Sequence, residues 1–167
     1  MDFSLTDEQR AIRDMARTFA QEELIPNCTE FDRLPDGEDS FPWDLVKRGS
    51  ELGFNALAVP EKYGGSGADV LTQCIVIEEL SAGEPAVSKV YSHNWKALFG
   101  LMAIASEEQV QRVVPGFLED PGYCISIGMT EPNTGSDNSL PYSGTLAAGP
   151  NLSAVRQGSH YVLNGSK

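Results

Sequence analysis

The sequence predicts an α+β fold: an all-α domain of five helices followed by the beginning of an antiparallel β domain. Apolar residues recur at three- and four-residue steps over the first 121 residues, which indicates amphipathic helices. After residue 121, short apolar runs are separated by glycine and serine, which is typical of strands and hairpin turns. Because helices and strands are segregated along the chain, we expect a helical domain at residues 1–121 and the first part of a β domain at 122–167.

The five helices are predicted from start and stop signals in order along the chain. Residues 6–9, Thr-Asp-Glu-Gln, have the form of a capping box and begin the first helix, which Pro26 is expected to stop. Pro42 opens the second helix and Gly53 ends it. The third and fourth helices are expected at about residues 69–82 and 85–105.

A second capping box, Ser-Glu-Glu-Gln at residues 106–109, begins the fifth helix, which ends before Pro121. The connector at residues 60–67 holds three glycines, and both an ordered turn and a flexible link are compatible with it.

The β part is predicted from three strand-like runs, at residues 123–129, 153–157 and 160–163. Gly158-Ser159 is a plausible hairpin turn between the last two runs, and residues 139–151 are expected to form a loop. Residues 161–167 predict a strand and a tight turn with nothing after them, so we expect a truncated chain or a subunit completed by another chain.

Composition excludes several classes of protein. The 167 residues carry a net charge of −12, with no cluster of Lys and Arg for nucleic acid or an anionic membrane surface. No apolar run reaches the length of a membrane span, and no secretory signal precedes the first helix. The three cysteines are widely spaced, which argues against disulfides and zinc and for a cytoplasmic protein, so we expect them to be small buried apolar side chains.

The most informative motif is Met-Thr-Glu-Pro-Asn-Thr-Gly-Ser-Asp at residues 129–137, directly after a strand-like run. Its hydroxyls, glycine and backbone N–H groups suit a flat, polar-edged ligand that carries phosphates. The alternative for such a stretch is a polar turn without a ligand.

This motif and the order of the elements resemble the acyl-CoA dehydrogenases, flavoproteins with an N-terminal helical domain, a middle β domain and a C-terminal four-helix domain. The resemblance spans the chain in the family's order, at residues 5–9, 59–65, 78–81, 93–94, 129–137 and 163–167. It implies FAD as the cofactor, an acyl-CoA thioester as the substrate, electron-transfer flavoprotein as the electron acceptor, and a homo- or hetero-oligomer.

The resemblance also assigns roles to residues. Thr130 is expected to hydrogen-bond the pyrimidine edge of the isoalloxazine, the backbone around Ile127 and Met129 to line the same ring, and Gly135 to let the backbone approach the cofactor closely. Ser136 is expected to contact both the cofactor and the thioester.

Other assignments are less direct. His93 is implied to line the acyl pocket, a partly buried structural histidine being the alternative. Asn133-Thr134 stands where the family usually has Gly-Ala, and Glu131, Asn133 and Asp137 are interpreted as residues that fix the loop.

The catalytic machinery that the resemblance implies is not in this sequence. Family members abstract the α-proton of the acyl-CoA with a glutamate of the C-terminal domain, while the β-carbon gives hydride to flavin N5. No residue here corresponds to that base, so no catalytic residue and no metal ligand is assigned, and the chain alone is expected to be inactive.

Three hypotheses follow for the role of the chain. The first is the N-terminal portion of a longer acyl-CoA dehydrogenase. The second is a non-catalytic subunit that needs another chain for activity, and the third is a helical binding module with a decayed flavin loop. A continued reading frame past Lys167 favours the first over the second, and flavin absorbance of the purified protein separates both from the third.

Overall fold

The computed structural model describes residues 4–35, 40–135 and 151–167. The chain divides into two compact units, residues 1–126 and residues 127–167. The predicted domain boundary after residue 121 stays a prediction. The five-helix prediction is confirmed, with the first helix made of three consecutive helical segments, and so is the antiparallel pair of strands.

The first helix begins as predicted and ends later than predicted. Helix α1 spans Asp7–Phe19, and Thr6 closes the capping box with Gln9. A π-helical turn, Ala20–Leu24, follows and leads directly into helix α2, Ile25–Phe31. The prediction that Pro26 stops the helix is therefore wrong.

The π-helical turn explains how Pro26 is accommodated. Proline has no backbone N–H, and its ring clashes with the carbonyl four residues earlier in a regular helix. Here the N–H of Ile25 donates to the carbonyl of Ala20, five residues back, so the turn just before Pro26 is wider than an α-helical turn. Pro26 then lies in the first turn of α2, where no N–H is needed.

Helix α3 spans Trp43–Glu51, between Pro42 and Gly53 as predicted. The connector that follows is an ordered turn. It contains a short 3-10 helix, Glu61–Tyr63, and the N–H of Gly67 donates to the carbonyl of Val59 at 2.8 Å. A Cβ on Gly65 would lie 2.1 Å from that same carbonyl oxygen, so only glycine fits this approach of the backbone.

The remaining helices of the first unit are α4, Val70–Gly83, α5, Pro85–Ile104, and α6, Glu107–Glu119. Asp69 caps α4, and Ser106 forms the second predicted capping box with Gln109. Each cap accepts a hydrogen bond from a backbone N–H that the first turn of a helix would leave unpaired.

The core of this unit is made by α1, α3, α4 and α5 around the residues that follow α3. Its buried aromatic centre is Phe54, whose ring centroid lies 5.8 Å from that of Phe19 and 5.9 Å from that of Tyr91. A second apolar cluster joins α5 to α6 through Leu98, Val114 and Phe117. These packed faces hold α5 between the two clusters.

The prediction that the cysteines are buried is wrong. Cys74 and Cys124 are exposed, and Cys28 is half-buried. Helix α4 is apolar on most sides, so its sequence does not show which side faces the core. Cys74 lies on the side that other described residues leave uncovered.

The second unit contains a β-hairpin. Strands β1, Ser153–Gln157, and β2, His160–Asn164, pair antiparallel, with Gly158 at φ +62° in the predicted turn. Residues 123–129, expected to be strand-like, belong to no helix and no ladder among the described residues. A strand needs a hydrogen-bonding partner, and the described hairpin strands pair only with each other. The loop predicted at 139–151 lies outside the described residues, except Asn151.

We expect Gly49→Ala to destabilise the helical unit by about 1–3 kcal/mol. A Cβ on Gly49 would lie 2.3 Å from Oη of Tyr91, and that hydroxyl is held by its hydrogen bond to the carbonyl of Val46 at 2.6 Å. The measurement is the free energy of unfolding in denaturant. The control is Gly100→Ala in α5, where a Cβ meets nothing within 4 Å, and it should stabilise the protein by about 0.5–1 kcal/mol. A Gly49→Ala variant whose free energy of unfolding is unchanged would contradict the close packing of α3 against α5.

Candidate functional site

The sequence motif at residues 129–137 begins with a closed turn. The N–H of Glu131 donates to the carbonyl of Thr134 at 3.0 Å, and the N–H of Thr134 donates back at 3.2 Å. These two residues are buried, whereas Thr130 is exposed and Met129 is 43% exposed. Glu131 is therefore on the buried side of the turn, whereas Met129 and Thr130 lie on its exposed side.

Some of the predicted cofactor residues lie on this exposed side of the turn. Ile127 is 40% exposed, and the hydroxyl of Thr130 has no hydrogen-bond partner among the described residues. Gly135 is half-buried at the end of the turn. Ser136, predicted to contact both cofactor and substrate, lies outside the described residues.

The carboxylate of Glu131 ties the turn to the chain that precedes the hairpin. It accepts hydrogen bonds from the backbone N–H groups of Asn151 and Leu152, the latter at 3.0 Å, and forms an ion pair with Nζ of Lys167 at 3.1 Å. The two backbone donors, more than the lysine, lower the pKa of Glu131 to about 2. Glu131 therefore fixes the loop, as predicted, and is charged near neutral pH.

Lys167 is a site residue that the sequence reasoning did not single out. Its Nζ also donates to the carbonyl of Met129 at 2.9 Å. A Cβ built on Gly128 would lie 3.4 Å from Cβ of Lys167, so the lysine stem runs beside the backbone of this segment. The signal available in the sequence was only the position of this lysine at the end of the Asn-Gly-Ser-Lys turn.

His93 lies on α5 and lines a cavity of about 370 Å³ within the helical unit. Its ring is half-buried, and its Nδ1 is buried without a hydrogen-bond partner among the described residues. The side chain of Lys89, one turn earlier on α5, lines the same cavity. The remaining walls are mostly apolar, formed by Phe41, Trp43, Ala86, Val90, Asn94, Cys124 and Ile125.

Asn94, next to His93, is buried and holds the end of the helical unit in place. Its Oδ1 accepts the backbone N–H of Ile125 at 2.9 Å, and its Nδ2 donates to Oδ1 of Asn55 at 2.9 Å. A buried amide that satisfies a backbone N–H fixes the chain at that point, because losing the partner leaves a desolvated polar group.

A larger apolar groove, of about 680 Å³, lies between α4 and α5. Its apolar walls include Cys74, Ile77 and the buried indole of Trp95, together with Val70 and Phe99, which are 68% and 64% exposed. Its polar residues are Gln73, Glu78, Ser81, Ser92 and Lys96. The groove could hold an elongated apolar group, with hydroxyl and amine groups along one helix.

Among the described residues, no group of three or more His, Cys, Asp or Glu side chains could hold a metal ion. None of the helices in residues 4–35, 40–135 and 151–167 combines the length and the hydropathy that crossing a bilayer requires.

Comparison with known proteins identifies the family. Residues 6–120 match the model of the acyl-CoA dehydrogenase N-terminal domain. The short-chain specific acyl-CoA dehydrogenase of Clostridium acetobutylicum is 35% identical over 169 residues, covering 100% of this chain and 41% of that protein. The chain thus belongs to the acyl-CoA dehydrogenase family. The relatives it matches in that family are oxidoreductases.

Solved structures show the same relationship. The butyryl-CoA dehydrogenase of Megasphaera elsdenii has a TM-score of 0.79 and 28% identity, covering 99% of this chain and 41% of that chain. A chain in the structure of the electron transferring flavoprotein of Acidaminococcus fermentans has a TM-score of 0.79 and 32% identity, covering 99% of this chain and 40% of that one. The chain spans less than half the length of the curated relatives it matches.

The lowered pKa of Glu131 predicts an acid-sensitive loop. A carboxyl whose pKa falls from 4.5 to about 2 on folding contributes stability that is present above pH 4.5 and lost as the pH falls through about 2. The hydrogen-exchange protection factor of the Leu152 amide should therefore be constant above pH 4.5 and decline below it. Glu131→Gln should lower the protection and remove this decline, while Glu30→Gln on the exposed side of α2 should keep it. An identical pH profile in Glu131→Gln would refute the carboxylate contact.

Proposed function

We propose that this chain is the N-terminal portion of an FAD-dependent acyl-CoA dehydrogenase that removes hydrogen from the α and β carbons of an acyl-CoA thioester. The observation that carries the proposal is the turn after residue 128, where a buried Glu131 holds an exposed Thr130 in a chain of this family. The reaction belongs to the whole protein, because the chain spans 41% of its Clostridium relative.

The residues of the turn fit the edge of a flavin. The hydroxyl of Thr130 can donate or accept a hydrogen bond and is not used by another described residue, so it can serve the polar edge of the ring in either redox state. Ile127 and Met129 supply exposed apolar surface beside it, and Gly135 has no Cβ to keep a ligand away. FAD, when bound, would accept a hydride, and these residues would bind and orient the FAD.

The groove between α4 and α5 fits the acyl chain. A fatty acyl group needs an elongated apolar surface, and the groove of about 680 Å³ provides one with Cys74, Ile77 and Phe99. His93, in the neighbouring cavity on the same helix, remains a proposed substrate residue, supported by its buried Nδ1, which has no hydrogen-bond partner in the described part of the chain. Ser136 remains a proposed contact of both cofactor and thioester.

The remaining parts of the proposal concern the whole protein. Electrons pass to an electron-transfer flavoprotein, a partner supported by the likeness to a chain in the Acidaminococcus structure. The base that takes the α-proton comes from another part of the enzyme, since no residue of this chain corresponds to it. The whole protein is proposed to form an oligomer and to be located in the cytoplasm.

Thr130→Val in the longest natural polypeptide that contains this chain should weaken FAD retention by about 1–2 kcal/mol, the cost of one hydrogen bond to a buried polar edge. Valine keeps the branched shape and removes only the hydroxyl. The measurement is the dissociation constant of FAD from flavin fluorescence. Thr29→Val, at an exposed position of α2, is the matched control and should leave the affinity unchanged. Equal affinity in the two variants would remove Thr130 from the cofactor site.

Cys74→Trp should weaken binding of a saturated acyl-CoA by roughly tenfold or more, because the indole fills the groove that the acyl chain needs. Leu71→Trp is the matched control, since Leu71 is 55% exposed on the same helix and does not line the groove. The measurement is the acyl-CoA concentration dependence of flavin bleaching without oxygen. Bleaching that is unaffected by Cys74→Trp would place the acyl chain elsewhere.

A further inference from the structure

The residues before and after Thr130 are held by the same amine. Nζ of Lys167 donates to the carbonyl of Met129 at 2.9 Å and pairs with Oε1 of Glu131 at 3.1 Å. Thr130 lies between these two acceptors in the chain, and its own hydroxyl has no partner among the described residues. The direction of that hydroxyl is therefore set by the backbone on either side of it.

The Glu131–Lys167 pair is itself held firmly. The Glu131 side chain is 2% exposed and the Lys167 side chain 26% exposed, so solvent screens their attraction much less than that of a surface pair. The backbone N–H groups of Asn151 and Leu152 occupy the carboxylate as well. The charged pair has enough donors to offset its burial, and it links the turn, the chain before the hairpin and the end of the hairpin.

We propose that Glu131 and Lys167 are positioning residues for the flavin site, acting through the backbone that presents Thr130. This inference rests on the proposed function. A hydroxyl that meets a fixed polar edge must be placed to within a fraction of an ångström, since small misplacements of binding groups cost large factors in binding and rate. Lys167 contributes by fixing the carbonyl of Met129, and Glu131 by holding the lysine and the turn together.

The test uses Lys167→Met and Lys167→Arg in the longest natural polypeptide that contains this chain. Methionine keeps the stem that runs beside Gly128 and removes the donor, whereas arginine can donate to both acceptors. Lys167→Met should weaken FAD binding about tenfold, because a misplaced Thr130 hydroxyl loses its hydrogen bond to the flavin edge, and Lys167→Arg should restore most of the affinity. Arg156→Met is the matched control, because it removes a cation of the same hairpin that donates to Gly158.

A spectroscopic signature separates positioning from general stability. Because Thr130 is proposed to meet the polar edge of the ring, the visible flavin bands should shift in Lys167→Met and stay in place in Arg156→Met. The unfolding midpoint of the flavin-free protein should differ little between these two variants. Glu131→Gln, which keeps the size of the side chain, serves as the second variant if Lys167→Met does not fold, and should also weaken FAD binding and shift the bands.

The outcomes distinguish the two proposals. Unchanged flavin affinity and spectrum in Lys167→Met, with the wild type binding FAD, would overturn the positioning role and leave the proposed function standing. Loss of affinity in Lys167→Met and Lys167→Arg alike, together with a lowered midpoint of the flavin-free protein, would show a purely structural role and also overturn it. A wild-type protein that takes up no FAD would overturn the proposed function and the positioning role together.

Discussion

The packing around Phe54 is the constraint on which the helical unit depends. Its ring is fully buried between Phe19 of α1 and Tyr91 of α5, and its carbonyl accepts the indole N–H of Trp95 at 3.0 Å. Tyr91 in turn donates to the carbonyl of Val46 in α3. Burial raises the pKa of the Tyr91 phenol, so the hydroxyl stays protonated and keeps donating at any pH the protein meets. Phe54 and Tyr91 together thus tie α1, α3 and α5 by apolar contact and two hydrogen bonds.

The fixed position of α5 decides where the polar groups of the helical unit lie. Because one side of α5 packs on Phe54, residues on its other sides line the groove with α4 and the cavity at His93. Asn94 is buried on the same helix and hydrogen-bonds Ile125 near the end of the unit. A single helix therefore supplies the core, both cavities and the anchor of the chain that leads out of the unit.

Local signals were sufficient to predict most of the helices and the hairpin. The capping boxes at Thr6 and Ser106 and the turn at Gly158 involve residues that are close in sequence, so their pattern is visible in a short window. Pro26 was misjudged because a π-helical turn satisfies the backbone in a way that no residue type signals.

The site shows the same division between local and distant contacts. The motif at residues 129–137 was recognised from its residue types, and the loop-fixing role of Glu131 is confirmed. Lys167 was missed because it meets Met129 across 38 residues of chain, and composition gives no sign of such a contact. The exposure of Cys74 was missed since α4 is apolar on most sides, and only packing decides which side is covered.

The wide turn before Pro26 has a consequence for how the folded protein opens. Leu24, at its end, is fully buried, whereas no residue of α2 is buried. Segments with few buried apolar contacts open at a lower free energy than the core does. Helix α2 can therefore unfold and refold locally while Leu24 stays buried. Ala20–Leu24 thus marks the boundary between the cooperatively folded core and a segment that opens at a lower free energy.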